Sequence, residues 1–213
     1  AFPIGVLLFQ FRGNRLVGFA VGAVAATAAS VYRSDIWMGP FLVSTFGFST
    51  FFKSVNTGWQ QYPAGADRNL YSWLLWFLFI PEPVFDKENM VKAKTSDILN
   101  AVGAMLGKVF GLFVLLSILR SSSTVDYVPL PEVVPAWLGL HIQGFFHVWF
   151  IYLWASFCLD FSRVSSTGLT GRMFHSGFKN PLITSRSFRE SWGQRWNTPV
   201  QIILLRSVYV PCR

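Results

Sequence analysis

The residues in this chain that could do chemistry fall in three places. His141, Gln143 and His147 stand close together inside a long apolar run. An imidazole can serve as an acid–base group or as a haem ligand. The two histidines are six residues apart, which on a helix leaves them roughly 120° from each other, so they do not form the i,i+4 pair of a metal site. Gln143 and His147 do share a helix face. Hydrogen-bonded helix packing accounts for all three residues; a haem or pigment held by His141 or His147 is the alternative. The second place is Lys108, a lone cation near the middle of another apolar run. It either meets an acidic partner in a polar cavity, because a charge at mid-membrane costs a few kcal/mol, or snorkels beside glycine. The third is "SFRESWGQRWNTPV", Ser187 to Val200, where Trp192 and Trp196 sit four apart around Gly193, Gln194 and Arg195, with Asn197 following. Two tryptophans at that spacing share a helix face. They are either a membrane-interface belt or part of an active site.

The rest of the chain must position these groups. Of its 213 residues 52% are hydrophobic, 17% aromatic and 13% charged, whereas a soluble domain is charged at about a quarter of its positions. Mean hydropathy is +0.42, and the chain holds 22 Phe and nine Trp. These values predict an all-α, polytopic helical membrane protein folded as one membrane domain over residues 1–213. The apolar runs are too long for barrel strands and lack their alternation. Four spans are expected, at Leu16–Tyr32, Ile36–Phe52, Asp97–Leu119 and Ala136–Phe161. Two shorter apolar pieces, Asn69–Ile80 and Pro199–Pro211, are read as interfacial or re-entrant helices. Lys53–Arg68, Glu82–Ser96, Val125–Pro135 and Ser162–Asn180 are read as loops, which leaves His175 solvated. Gly18 and Gly22, and then Gly103, Gly107 and Gly111, recur every four residues and predict faces that admit a close helix neighbour, including one from another transmembrane subunit.

Charge is asymmetric. From Arg163 to Arg213 there are eight basic residues against one acid, Glu190, while the first 162 residues hold ten against nine. The positive-inside rule puts this basic segment on the cytosolic or equivalent organellar side. Membrane lipids are the expected surroundings, and no nucleic-acid partner is expected. Cys158 lies in an apolar run and Cys212 near the end; neither suggests a disulfide or a metal site, and no CxxC, HExxH or Gly-rich phosphate loop occurs.

Residues 180–213 carry a more specific pattern: Asn180, Pro181, Leu182 and Ser185, then Trp192, Gly193, Arg195, Trp196 and Asn197, then Tyr209, Pro211 and Arg213. In order and spacing this resembles the wax-synthase branch of the membrane-bound O-acyltransferase (MBOAT) superfamily. Two positions depart from it: Ser191 stands where that family usually has Phe, and Gln194 where Arg is common. The resemblance implies acyl transfer from acyl-CoA to a hydroxyl, with acyl-CoA as substrate and no other cofactor. A histidine on a later helix would be the base, and the motif Asn and its neighbours would orient groups or stabilise an oxyanion. All three histidines of this chain precede the motif, so the acyltransferase-like site is incomplete within these residues. The expectation is a non-catalytic structural or lipid-binding subunit of a larger membrane complex, in an organellar energy-transducing membrane (thylakoid or inner mitochondrial). The alternative is the N-terminal portion of an active acyl-CoA:alcohol O-acyltransferase of the endoplasmic reticulum, its catalytic histidine lying beyond Arg213.

Overall fold

The computed structural model describes residues 2–31, 38–120, 135–179, 184–191 and 197–212. Among these residues it is mostly helical, with one two-stranded hairpin. The elements are α1 (Phe2–Gln10), α2 (Arg15–Val31), α3 (Met38–Gly58), a 3-10 turn (Ala66–Arg68), α4 (Leu70–Leu78), β1 (Phe85–Asp86), β2 (Asn89–Met90), α5 (Thr95–Arg120) and α6 (Ala136–Thr170). A single helical turn (Phe188–Glu190), α7 (Thr198–Leu204) and a π-turn (Leu205–Tyr209) follow.

The elements build two bodies of contact. In the first, α2 and α3 form an antiparallel pair held close by glycine. A Cβ on Gly18 would lie 2.6 Å from the Gly58 backbone nitrogen, and one on Gly22 would meet Phe51 and Ser54 at 3.5–3.6 Å. The close neighbour of the Gly18–Gly22 face is thus α3 of the same chain. Asn14 starts α2 by accepting the Leu16 N–H at 3.0 Å. Beside this pair lies an aromatic core. Asn69 caps α4 by accepting the Ser72 N–H at 2.8 Å, and α4 is buried through Trp73, Trp76 and Phe77, with Leu8 of α1 and Ala66 completing the core. The Trp73 indole donates to the Gly5 carbonyl at 2.9 Å, tying α4 to α1. Where an interfacial or re-entrant helix is expected from sequence, α4 is a buried core helix of nine residues.

The second body is the α5–α6 pair. Two helical stretches, Thr95–Ile118 and Trp137–Thr170, are long and apolar enough to cross a membrane; α2 offers a shorter apolar stretch, Arg15–Thr27. Only 17% and 12% of the two long apolar windows is buried. Phe110 and Phe113 of α5 and Trp137 and Ile151 of α6 are each at least 60% exposed. A core helix of a soluble protein would bury such a surface.

Two boundaries differ from the sequence reading. α3 continues through Lys53 to Gly58, because Lys53, Ser54, Asn56 and Thr57 are buried rather than solvated. α6 continues nine residues past Phe161 to Thr170 and is about 52 Å long at 1.5 Å per residue. The polar residues there satisfy themselves on the helix: Ser166 donates to the Ser162 carbonyl at 2.6 Å and Thr170 to that of Ser166 at 2.7 Å. Gly171, at φ +64, stops α6, and its N–H returns to the Thr167 carbonyl. The chain then pairs with both sides of the β1–β2 hairpin segment, through bridges Pro83–Phe174 and Lys92–Arg172.

Candidate functional site

The α5–α6 interface is built around one ion pair. Lys108 donates to the Asp160 carboxylate across the two helices. Both are withdrawn from solvent, Asp160 almost completely, with side-chain exposures of 12% and 4%. Lys108 therefore has an acidic partner and does not snorkel. Toward the N-terminal end of α5 the pair borders a cavity of about 240 Å³ with Asp97, Asn100, Arg163 and Ser176 in its walls. On the other side of Lys108, Gly111 lets α6 approach, with Leu153 at 3.4 Å from where a Cβ would be. From there a groove of about 400 Å³ runs between the helices toward Ile118 and Phe145, and every residue lining it is apolar, with Val114, Leu115 and Trp149 among them. The helix pair thus carries a charged pocket at one end and a hydrocarbon-like cleft at the other.

A second polar cluster lies at the junction of α3, α4, the hairpin segment and the C-terminal helix. α4 stops before Pro81, which leaves its last carbonyls without helical donors. Lys53, reaching across from α3, supplies the donor: its ammonium contacts the carbonyls of Trp76 and Phe79, both at 2.5 Å. A cation at a helix C-terminus is favoured by the helix dipole as well as by these hydrogen bonds. Glu82 is buried beside it. Its Oε1 accepts from the Trp76 indole at 3.1 Å and its Oε2 from Arg206 at 2.6 Å. His175 joins through its backbone N–H, which donates to the Glu82 carbonyl at 2.9 Å. Burial pushes the His175 imidazole below its ordinary value; Glu82 opposes this, while Lys179, Arg206 and Arg163 reinforce it. His175 is half-buried, not the solvated loop residue expected from sequence.

The other sequence candidates fall as follows. Trp192, Gly193, Arg195 and Trp196 lie outside the described residues, as do Asn180, Pro181, Leu182 and Arg213. Asn197 is described: it precedes α7 in the left-handed region at φ 46, and its side chain makes no capping hydrogen bond. Its neighbour Thr198 ties this segment to the stretch that follows α6, its N–H donating to the Gly177 carbonyl at 2.8 Å. His141 is exposed, with Nδ1 2.6 Å from the Trp137 carbonyl one turn earlier. His147 is exposed on α6, and the Gln143 side chain lies outside the description. Among the described residues no group of three His, Cys, Asp or Glu side chains converges on a metal position. The structure thus joins Lys108 to Asp160 and assembles Lys53, Glu82, His175 and Arg206. It does not bring His141 and His147 to one site.

Comparison with known protein families, with curated proteins and with solved structures finds no match for this chain.

Proposed function

We propose that the chain is an integral membrane protein whose α5–α6 pair holds a lipid, as a structural or lipid-binding component of a larger membrane assembly. The observation that carries this reading is the all-apolar groove between two exposed apolar helices that are pinned together by a buried ion pair. In a bilayer the outward faces of α5 and α6 meet bulk lipid, and the groove gives one acyl chain a fixed bed, which is the difference between solvation and binding. Ion pairs inside a bilayer face the protein interior or a cavity, as Lys108 and Asp160 do. The basic side chains at the end of α6 and beyond it, including Arg163 and Arg172, then face the cytosolic or equivalent side, and α2–α3 would add two further crossings to make about four. Gly103 and Gly107, with nothing within 4 Å of their missing Cβ atoms, leave α5 open to a helix of another subunit. An organellar energy-transducing membrane suits such a subunit.

The test is photocrosslinking in bilayers containing a lipid with a photoreactive acyl tail. Adducts should concentrate on the groove residues Val114, Phe145 and Trp149, and Val114→Trp, which fills the groove, should remove them. Labelling spread evenly over Leu106, Phe113 and the groove would show bulk solvation and refute the reading. A second reading, part of an acyl-CoA:alcohol O-acyltransferase of the endoplasmic reticulum, is favoured by the order of Trp192, Gly193, Arg195, Trp196 and Asn197. It requires wax-ester formation from a long-chain acyl-CoA and a fatty alcohol that is lost on Asn197→Ala. A lack of transfer in membranes that contain the protein would sink it.

A further inference from the structure

The junction cluster encloses a cavity that the lipid groove does not use. It measures about 230 Å³ and is lined by Lys87, His175, Arg206 and Glu82, with Pro63 and Pro83 among its walls. Its chemistry is one-sided. The single carboxylate, Glu82, has both oxygens engaged, one by the Trp76 indole and one by Arg206. Arg206 spends one N–H on that contact, and a guanidinium carries five. Lys87 and His175 both line the cavity, and neither the Lys87 ammonium nor the His175 ring makes a hydrogen bond to a described residue. Charge runs the same way: Lys53 behind Glu82, with Arg206 and Lys87, makes three cations against one buried carboxylate. Asp86 and Glu88 flank Lys87 on the hairpin but are exposed and do not line the cavity.

The backbone that carries these donors is fixed. Lys87 sits in the β1–β2 turn at φ +55. That turn is held by Gly65, where a Cβ would fall 2.3 Å from the Glu88 carbonyl oxygen, and by Arg68, which donates to Asn89 at 2.7 Å. His175 is held by the Pro83–Phe174 bridge and its own bond to the Glu82 carbonyl. Donors from three distant stretches of chain therefore line one cavity whose single carboxylate is already engaged, and the complement of such a set is an oxyanion.

We propose that this cavity binds a phosphate group, either of a soluble phosphate ester or of the headgroup of an anionic phospholipid. Arg206 supplies its unused N–H groups, Lys87 a charge at the rim, and His175 a ring N–H. The site is separate from the α5–α6 groove, so its failure would leave the lipid-groove reading standing.

The experiment uses the whole chain with two probes. Inorganic phosphate is titrated calorimetrically into protein in an uncharged detergent. Lipid retention is read by native mass spectrometry from nanodiscs of phosphatidylcholine with and without phosphatidic acid. Lys87→Gln, an exposed turn substitution that leaves the fold intact, should weaken whichever probe binds by roughly tenfold, as loss of a charge-assisted hydrogen bond does. Lys94→Gln, exposed and outside the cavity, should change nothing. Saturable binding of inorganic phosphate identifies a soluble ester as the source; selective retention of phosphatidic acid that phosphate does not displace identifies the lipid. Arg206→Lys keeps a cation opposite Glu82 but loses the fork, and should weaken the same probe. Binding of neither probe, or equal binding by the wild type and Lys87→Gln, overturns the proposal.

Discussion

Removing one member of the Lys108–Asp160 pair should cost far more than removing both. Lys108 is 12% and Asp160 4% exposed, so Asp160→Leu leaves an ammonium between apolar helices without a counter-charge. Loss of one partner from a buried pair costs about 3–5 kcal/mol, whereas replacing both with apolar residues of similar volume is often neutral or stabilising. Lys108 and Asp160 line the polar cavity, but Ala101, Ala104 and Phe178 line it with them and the apolar groove starts at Gly111, so Lys108→Met with Asp160→Leu has apolar neighbours to pack against. The expected order of stability is therefore wild type about equal to the double variant, with either single variant lower by about 3 kcal/mol or more. The assay is reversible unfolding in mixed detergent micelles, followed by tryptophan fluorescence, as a double-mutant cycle. The two singles together should therefore cost about 6 kcal/mol or more beyond the double variant, and that coupling is the prediction. Single variants costing under about 1 kcal/mol would mean that the ammonium reaches water by itself, and the buried-pair argument would fail. A double variant as damaged as the sum of the singles would show that each residue has another partner.

Four further outcomes follow from the same geometry. Gly18→Leu should cost about 3 kcal/mol in thermal or detergent unfolding, at the upper end for overpacking, because its Cβ would fall 2.6 Å from the Gly58 nitrogen and backbone cannot swing aside. Gly107→Ala, with open space around it, should be neutral or stabilise by up to about 1 kcal/mol through helix propensity. Lys53→Met should lose about 2 kcal/mol or more, since the carbonyls of Trp76 and Phe79 would be left buried without their donor; a melting temperature equal to wild type would remove the capping role. His175, with its pKa lowered in the fold, predicts a pH slope. Between its folded value and about 6.5 the unfolded chain binds a proton that the folded chain refuses, so stability falls as pH drops through that window and is flat above it. His175→Gln should abolish that slope in melting temperatures taken from pH 5 to 8, and an unchanged slope would assign it to another group.

Composition made the class legible, since a chain 52% hydrophobic and 13% charged must put apolar surface somewhere other than water. The span Asp97–Leu119 reads within two residues of the observed α5, because its apolar run is bounded by Thr95 and by Arg120. α6 was legible to Phe161 and then not. Its last nine residues look like a loop by composition, yet Ser166 and Thr170 return their hydroxyls to carbonyls four residues back, which lets a polar stretch stay helical. α3 was cut short for a related reason. Lys53 reads as a loop-opening charge until its partners are known, and those partners are backbone carbonyls 23 and 26 residues away that carry no side-chain signature.

The two lysines set inside apolar helices show why such residues point to a contact without naming it. Each charge has to be answered inside the protein, but the means differ. Lys108 is met by a carboxylate 52 residues along, on the neighbouring helix. Lys53 is met by the carbonyl end of a short helix that Pro81 forbids to continue. Both answers are tertiary, so local pattern can mark the question and not the partner. The Glu82–Arg206 bond spans 124 residues and was invisible for the same reason: Glu82 follows a proline in what reads as a plain charged loop, and Arg206 interrupts an apolar piece that reads as an interfacial helix. Once α3 carries Lys53 to the end of α4, Glu82 is drawn in to balance it, and burying Glu82 then requires the Trp76 indole and Arg206. The cluster is best understood as this sequence of charge compensations. Lys87 and the His175 ring line the cavity without a hydrogen bond to a described residue, and for that reason they are the side chains at which a ligand should be sought first.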